Sequence, residues 1–129
     1  MAAADVLIIG GGPAGLSAAL TLVRQNHTVL VFDTGKSRAL PSPRLHGVLG
    51  SDATPPQDVL AKAHAELAAY SGFLPVEAEI VEISKNDGGF EARDANGKTY
   101  QGRKVILANG VKDVFPDIDG YADAWGKGM

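Results

Sequence analysis

The stretch Asp5–Asp33, DVLIIGGGPAGLSAALTLVRQNHTVLVFD, restricts the fold more than any other part of the chain. Val6–Ile9 is a short unbroken apolar run, the pattern of a strand buried on both faces of a parallel sheet. A glycine cluster interrupts it. Ala14–Gln25, rich in Ala and Leu, then predicts a helix, and the β-branched, apolar Thr28–Phe32 predicts a second buried strand. Strand, helix and strand in so short a span make a βαβ unit, whose crossover is right-handed in nearly all cases.

The joint between strand and helix, Gly10-Gly11-Gly12-Pro13-Ala14-Gly15, fits the pattern G-x-G-x-x-G. In that pattern the first glycine permits the tight turn, the second lets a pyrophosphate reach the backbone, and the third allows close helix–strand packing. Phosphates would then meet the free N–H groups at the helix N-terminus, where the helix dipole also favours negative charge. Asp33 stands 18 residues past Gly15, close to the position of the acid that hydrogen-bonds a ribose in such sites. A plain βαβ turn followed by a surface aspartate would show the same residues. The order of buried strand, glycines, helix, strand and acid favours the nucleotide reading.

Beyond Asp33 the organisation changes twice. Gly35–Pro56 is rich in proline and glycine, has no period, and predicts a long loop of the kind that is functional or disordered. Pro55 and Pro56 open a helix through about Tyr70, with Val59, Leu60, Ala63 and Leu67 on one face and Gly72 at its end. Phe73–Ala78 predicts a third strand. EIVEISK, GFEARD and KTYQ follow, separated by the hairpin turns Asp87-Gly88-Gly89 and Ala95-Asn96-Gly97, and predict an antiparallel meander. Lys104–Ala108 predicts a fourth buried strand, and the tail after Asn109-Gly110 reads as irregular. The expected fold class is α/β: a Rossmann-like parallel sheet of strands near 5–9, 28–32, 73–78 and 104–108, in the order 3-2-1-4. It would have helices on both faces and carry the antiparallel β-meander.

Composition narrows the function. A chain of 129 residues, 45% hydrophobic and 21% charged, is expected to form a single domain over 1–129 with no second domain. A net charge of −3 argues against capture of nucleic acid or anionic membrane, and no apolar run approaches the ~20 residues that cross a bilayer. The start, MAAAD, lacks a basic region ahead of its apolar segment, so a cytoplasmic protein is expected. Cysteine is absent, which excludes disulfides, thiol nucleophiles and thiolate metal ligands within these residues. Among the histidines, His46 can be read as a proton donor, as a ligand contact, or as a loop residue packed on Leu45 and Val48. His27 and His64 read as structural or solvated. Asp113, Asp117, Asp119 and Asp123 match no calcium-loop spacing and read as a solvated surface. No metal site is expected.

Taken together, ADVLIIGGGPAGLSAAL, the meander and KVILANGVKDVFPDIDG resemble the N-terminal FAD-binding part of thioredoxin-reductase-like flavoproteins, the class II pyridine nucleotide-disulfide oxidoreductases. DTGKSR, LHGVLGSD and AELAAY carry a closer likeness to the fungal subgroup that oxidises dithiols in gliotoxin-type biosynthesis. The resemblance implies a phosphate loop of Gly10, Gly12, Pro13, Ala14 and Gly15, with Asp33 on the adenosine ribose. It places Gly35, Lys36 and Arg38 along the cofactor and His46 near the flavin. Ala78 would offer backbone atoms to the adenine, and Ala108–Gly110 would correspond to the family's A-T-G turn. Three positions depart from the pattern: Asn109 for Thr, Ala39 for Asn and Ala53 for Gly. The family's C-x-x-C pair, pyridine-nucleotide domain and returning FAD segment have no counterpart in the sequence, and disulfide exchange needs a thiolate.

Three functions follow as expectations. The first is an FAD-binding part of an oxidoreductase of fungal secondary metabolism, unable to do dithiol chemistry alone. The second is a small cofactor-free cyclase or isomerase, FAD having been lost, that acts on an apolar natural-product intermediate in the vacated cleft with His46, Asp33 and Asp52 as polar groups. The third is a non-catalytic binding module or truncated gene product. The expected partners are FAD or a small-molecule substrate, and a second copy of the chain. Val105, Ile106 and Leu107 would form an open sheet edge, which Phe115, Ile118, Tyr121 and Trp125 of the tail could cover in their own subunit or in the second subunit of a homodimer.

Overall fold

The computed structural model describes residues 4–125 and Lys127; the ends of the expected 1–129 domain, residues 1–3, 126, 128 and 129, lie outside the described residues. The βαβ unit is present as β1 (Ala4–Ile9), α1 (Pro13–Val23) and β2 (Val29–Asp33). The second helix, α2, spans Pro56–Leu67 and leads to β3 (Phe73–Glu77). The hairpin strands β4 (Ile80–Asn86) and β5 (Gly89–Asp94) precede the long β6 (Thr99–Leu107), and one turn of helix, α3 (Tyr121–Ala124), interrupts the tail. All six strands join one sheet in the order β3-β2-β1-β6-β5-β4. The parallel part, β3-β2-β1-β6, has the order expected for this α/β class.

Alternation along the central strands divides the core in two. Val6, Ile8, Val29 and Val31 pack with Leu16, Ala19 and Val23 of α1 and Leu67 of α2. Leu7 and Phe32 point the other way and pack with Ala92 of β5, joined by Ile80, Ile83 and Tyr100. Both long helices therefore lie on one face, and the meander covers the other, where a helix layer was expected. The meander can do this because its own apolar side chains supply a buried face, with the Tyr100 ring edge-on to Phe32 at 4.8 Å between centroids. β3 closes one end of the sheet. The Ala78 N–H donates to the Asp33 carbonyl and the Gly72 carbonyl accepts from Val29, so by alternation the Pro75 nitrogen faces outward and offers no donor to a further strand.

KTYQ and KVILA, expected as separate strands, are the two halves of β6. Its first half pairs antiparallel with β5 (Arg93↔Thr99 to Phe90↔Gly102), and its second half pairs parallel with β1 (Ala4↔Gly102 to Ile9↔Leu107). Only Gly102 takes part in both ladders. It is buried, and a Cβ there would lie 2.4 Å from Leu7 Cγ and 2.8 Å from Cδ2. The strand thus changes partners without a break because its backbone settles directly on the Leu7 side chain. Among the described residues, the outer side of β6 beyond Gly102 has no ladder partner, and Leu107 is 68% exposed, so the expected open edge is confined to the second half of the strand.

One buried carboxylate holds the last hairpin. Asp94 accepts the Asn96 and Lys98 N–H groups, both at 2.9 Å, and the Tyr100 hydroxyl at 3.2 Å. Gly97 takes the left-handed conformation, φ +85°, that this turn requires.

Replacing Gly102 with Ala is expected to destabilise the chain by ~1–3 kcal/mol, the scale of an overpacked core. Urea unfolding measures it, and the cost of Gly102→Ala should be smaller in a Leu7→Ala background than in the unmodified chain, since the clash is with that side chain.

Candidate functional site

The parallel strands β1, β2, β3 and β6 all end on one side of the sheet, and most of the residues singled out from the sequence come together there. Gly10 leaves β1 with φ +111°, a conformation that favours glycine. Its N–H donates to the Phe32 carbonyl at 2.8 Å. A Cβ at Gly10 would fall 2.1 Å from the Ala108 carbonyl oxygen, while the Ala108 N–H donates to the Ile9 carbonyl at 2.8 Å. Gly15 is equally confined, its absent Cβ lying 1.8 Å from the Gly10 carbonyl oxygen. These two glycines are required by the contact of three backbones.

Gly11 and Gly12 differ from them and from each other. A Cβ on Gly11 would sit 2.7 Å from Asp33 Cβ and 3.0 Å from its Oδ2, so the half-buried Asp33 side chain lies against the glycine loop. This role of Gly11 escapes the motif, which leaves that position free. Gly12 has ordinary extended angles, φ −77° and ψ −173°, and no protein atom within 4 Å of where a Cβ would be. It caps α1 without a side-chain hydrogen bond, Pro13 follows as the first helical residue, and the first turn has no acidic side chain. The uncapped N–H groups and the positive end of the helix dipole therefore face outward beside a carboxylate. A cradle that a Cβ would fill, with an acid one loop away, suits a diphosphate joined to a ribose.

The other candidates occupy the rim. Gly35 (φ +73°) and Lys36 are exposed just after β2, and Gly110 (φ +63°) is exposed just after β6. Ala78 lies beside Asp33, but its N–H is spent on the Asp33 carbonyl at 3.1 Å, which leaves its carbonyl as the group available to an adenine. Arg38 is engaged. Its Nε donates to Asp113 Oδ2 at 2.7 Å and its terminal nitrogen to Oδ1 at 3.1 Å, and that carboxylate raises the guanidinium pKa further above its usual value. Asp113 is thus half-buried and paired, where a solvated surface was expected; residues 75 positions apart carry no sequence signal of their meeting.

His46 and Asp52 belong to a loop closed by the Leu45 N–H, which donates to the Thr54 carbonyl at 2.8 Å. His46 is 70% exposed and faces Asp52 at 3.5 Å, a loop position with few packing neighbours. The Gly47 N–H holds the Asp52 carboxyl below its usual range, with His46 adding to the effect and desolvation opposing it. Among the tail residues, Phe115, Tyr121 and Trp125 pack on one another, the Phe115–Trp125 centroids being 5.1 Å apart. Val111, Val114 and Ile118 remain exposed. Groups of three or more metal-ligating side chains are absent among the described residues.

A parallel sheet in the order β3-β2-β1-β6, with an open helix N-terminus at its carboxyl edge, defines the class of Rossmann-like α/β proteins. The chain belongs to the pyridine nucleotide-disulphide oxidoreductase family, whose signature matches residues 4–129. It is 43% identical over 137 residues to a thioredoxin reductase of Gibberella zeae, and 45% identical over 128 residues to the thioredoxin reductase tcpT of Claviceps purpurea. Each alignment covers 97% of this chain and 40% of the relative, so the chain spans about two-fifths of the length of the curated relatives it matches. Among solved structures, an oxidoreductase from Agrobacterium tumefaciens superposes with a TM-score of 0.92 at 35% identity, over 98% of this chain and 43% of that one.

Two measurements probe the site without a ligand. Gly10→Ala is expected to cost several kcal/mol of stability, roughly that of a large buried misfit, whereas Gly12→Ala should shift it by less than about 0.5 kcal/mol. Thermal unfolding compares them. Because the folded pKa of Asp52 lies below its ordinary 3.8, the hold on Gly47 is complete above that pH and fails as the pH falls through the lowered value. Hydrogen exchange at the Gly47 amide, corrected for intrinsic rate, should accelerate below pH 3.8 and lose this dependence in Asp52→Asn.

Proposed function

We propose that these residues form the FAD-binding part of a thioredoxin-reductase-like oxidoreductase of fungal secondary metabolism. The observation that carries this reading is Gly12: an open, uncapped helix N-terminus, with nothing within 4 Å of its missing side chain, set beside Asp33. Gly10–Gly15 would receive the diphosphate through backbone N–H groups, and Asp33 would accept hydrogen bonds from the adenosine ribose. The carbonyl of Ala78 lies on the adenine side. Bound flavin would supply two-electron transfer to or from a dithiol. The protein's part is to bind and orient the dinucleotide, and to set the helix dipole and the Asp33 carboxylate against its charged and hydroxyl groups.

The names of the relatives support the oxidoreductase reading, and the fungal sources of the two quoted above support the biological setting. The 129 residues contain no cysteine, so the thiols of a dithiol reaction have to come from elsewhere. On this reading the chain alone binds the cofactor and does not turn over dithiols.

Titration calorimetry with FAD and with ADP tests the reading. The unmodified chain is expected to bind both. Gly12→Val should abolish binding while the circular dichroism spectrum stays unchanged, because the added side chain enters the space that the phosphates need and touches no protein atom. Asp33→Ala should weaken binding by ~1.5–3 kcal/mol, the scale of hydrogen bonds to a charged group. A chain that binds neither ligand overturns the proposal.

A further inference from the structure

The sheet order places β1 between β2 and β6, so the glycine loop at the end of β1 lies between the segments that leave its two neighbours. Those segments are joined. Arg38, five residues past the end of β2, makes a two-pronged contact at 2.7 and 3.1 Å with Asp113, six residues past the end of β6. A link from the β2 side to the β6 side has to pass the carboxyl end of β1. The segments themselves are held locally: Leu40 donates to the Ser37 carbonyl at 3.1 Å, and Ser42 to the Ala39 carbonyl at 3.0 Å. On the far side the chain runs from Ala108, which packs on Gly10, through Asn109 and the left-handed Gly110 to Asp113. The planar guanidinium matched to a carboxylate fixes an orientation as well as a distance.

We propose that the Arg38–Asp113 pair is a strap across the mouth of the dinucleotide site that slows release of the bound dinucleotide. The inference rests on the dinucleotide reading above. The two residues act as positioning residues: Asp113 occupies the Arg38 guanidinium, and the pair holds the loop after β2 against the segment after β6. The pair stands at the surface, with Arg38 side chain 55% and Asp113 24% exposed, so it is screened by salt and exchanges readily. A contact of that kind suits a closure that must open for each binding event.

The experiment uses the full chain with FAD as the probe, in three forms: unmodified, Asp113→Asn, and the charge swap Arg38→Asp with Asp113→Arg. Hydrogen exchange is measured without ligand, and FAD release is followed by flavin fluorescence in stopped flow. Asp113→Asn is expected to raise exchange at the Leu40 and Ser42 amides and in residues 110–118 together. It should also speed FAD release by roughly two- to five-fold, the scale of one exposed ion pair. The swap should restore both. The difference between the unmodified chain and Asp113→Asn should shrink at high salt. Unchanged exchange in Asp113→Asn overturns the strap whatever FAD does. Raised exchange with unchanged release also overturns it, leaving a surface tie alone. Slower release in Asp113→Asn overturns it in favour of an Arg38 freed to hold the phosphates directly. If the unmodified chain binds no FAD, the dinucleotide reading falls and takes the strap's role with it, while the exchange result still shows whether the two segments are tied.

Discussion

Three stretches of backbone meet at the end of β1 with no side chain between them. Gly15 in α1 rests on the Gly10 carbonyl, and Gly10 in turn rests on Ala108 at the end of β6. This contact fixes where α1 begins, and through it much else. A helix that starts in touch with the strand it follows brings Leu16, Ala19 and Val23 down onto Val6, Ile8, Val29 and Val31. It also delivers the helix N-terminus at the carboxyl edge of the sheet, where its free N–H groups face outward. Side chains at Gly10 or Gly15 would lift the helix, open that core, and turn the dipole away from the site. Packing and binding share one geometric condition here.

The fold was legible where burial leaves a plain pattern. Strands β1 and β2 are covered on both faces and read as unbroken apolar runs, and the hairpin turns announce themselves through glycine and asparagine. KTYQ and KVILA read as separate strands because their apolar patterns differ, and only the two ladders that share Gly102 join them into one. Helix placement was hidden for a different reason. Periodicity tells which side of a helix is buried but not which face of a sheet receives it. The covering of the other face is obscured further by the irregular register between Ile80 and Glu82. It sets Ile80 and Ile83, three residues apart, into the same cluster, where strict alternation would separate them.

The site was legible to the extent that it is built from neighbours in sequence. Gly10, Gly12, Gly15 and Asp33 follow from one βαβ unit, and the structure brings them together. What could not be read is the pairing of distant residues and the use of backbone atoms. Arg38 stood among the candidates, but its partner Asp113 looked like one of several tail acids. Ala78 lies beside Asp33 with its N–H already taken by the Asp33 carbonyl, a fact that no residue identity encodes.

The glycines also separate two kinds of evidence that a motif fuses. Gly10, Gly11 and Gly15 each have a protein atom closer than 3.0 Å to the missing Cβ, so the fold itself accounts for them. They would be needed in a βαβ unit that binds nothing. Gly12 has no such neighbour and no strained angle, and it occupies the N-cap of α1. A Ser, Asp or Asn at an N-cap would bond a free N–H and stabilise the helix by roughly a few tenths of a kcal/mol over glycine. Stability alone therefore favours a different residue at this position. The one glycine the fold does not use is the one a phosphate would, and the argument for a dinucleotide rests on Gly12 and the neighbouring Asp33 more than on the motif as a whole.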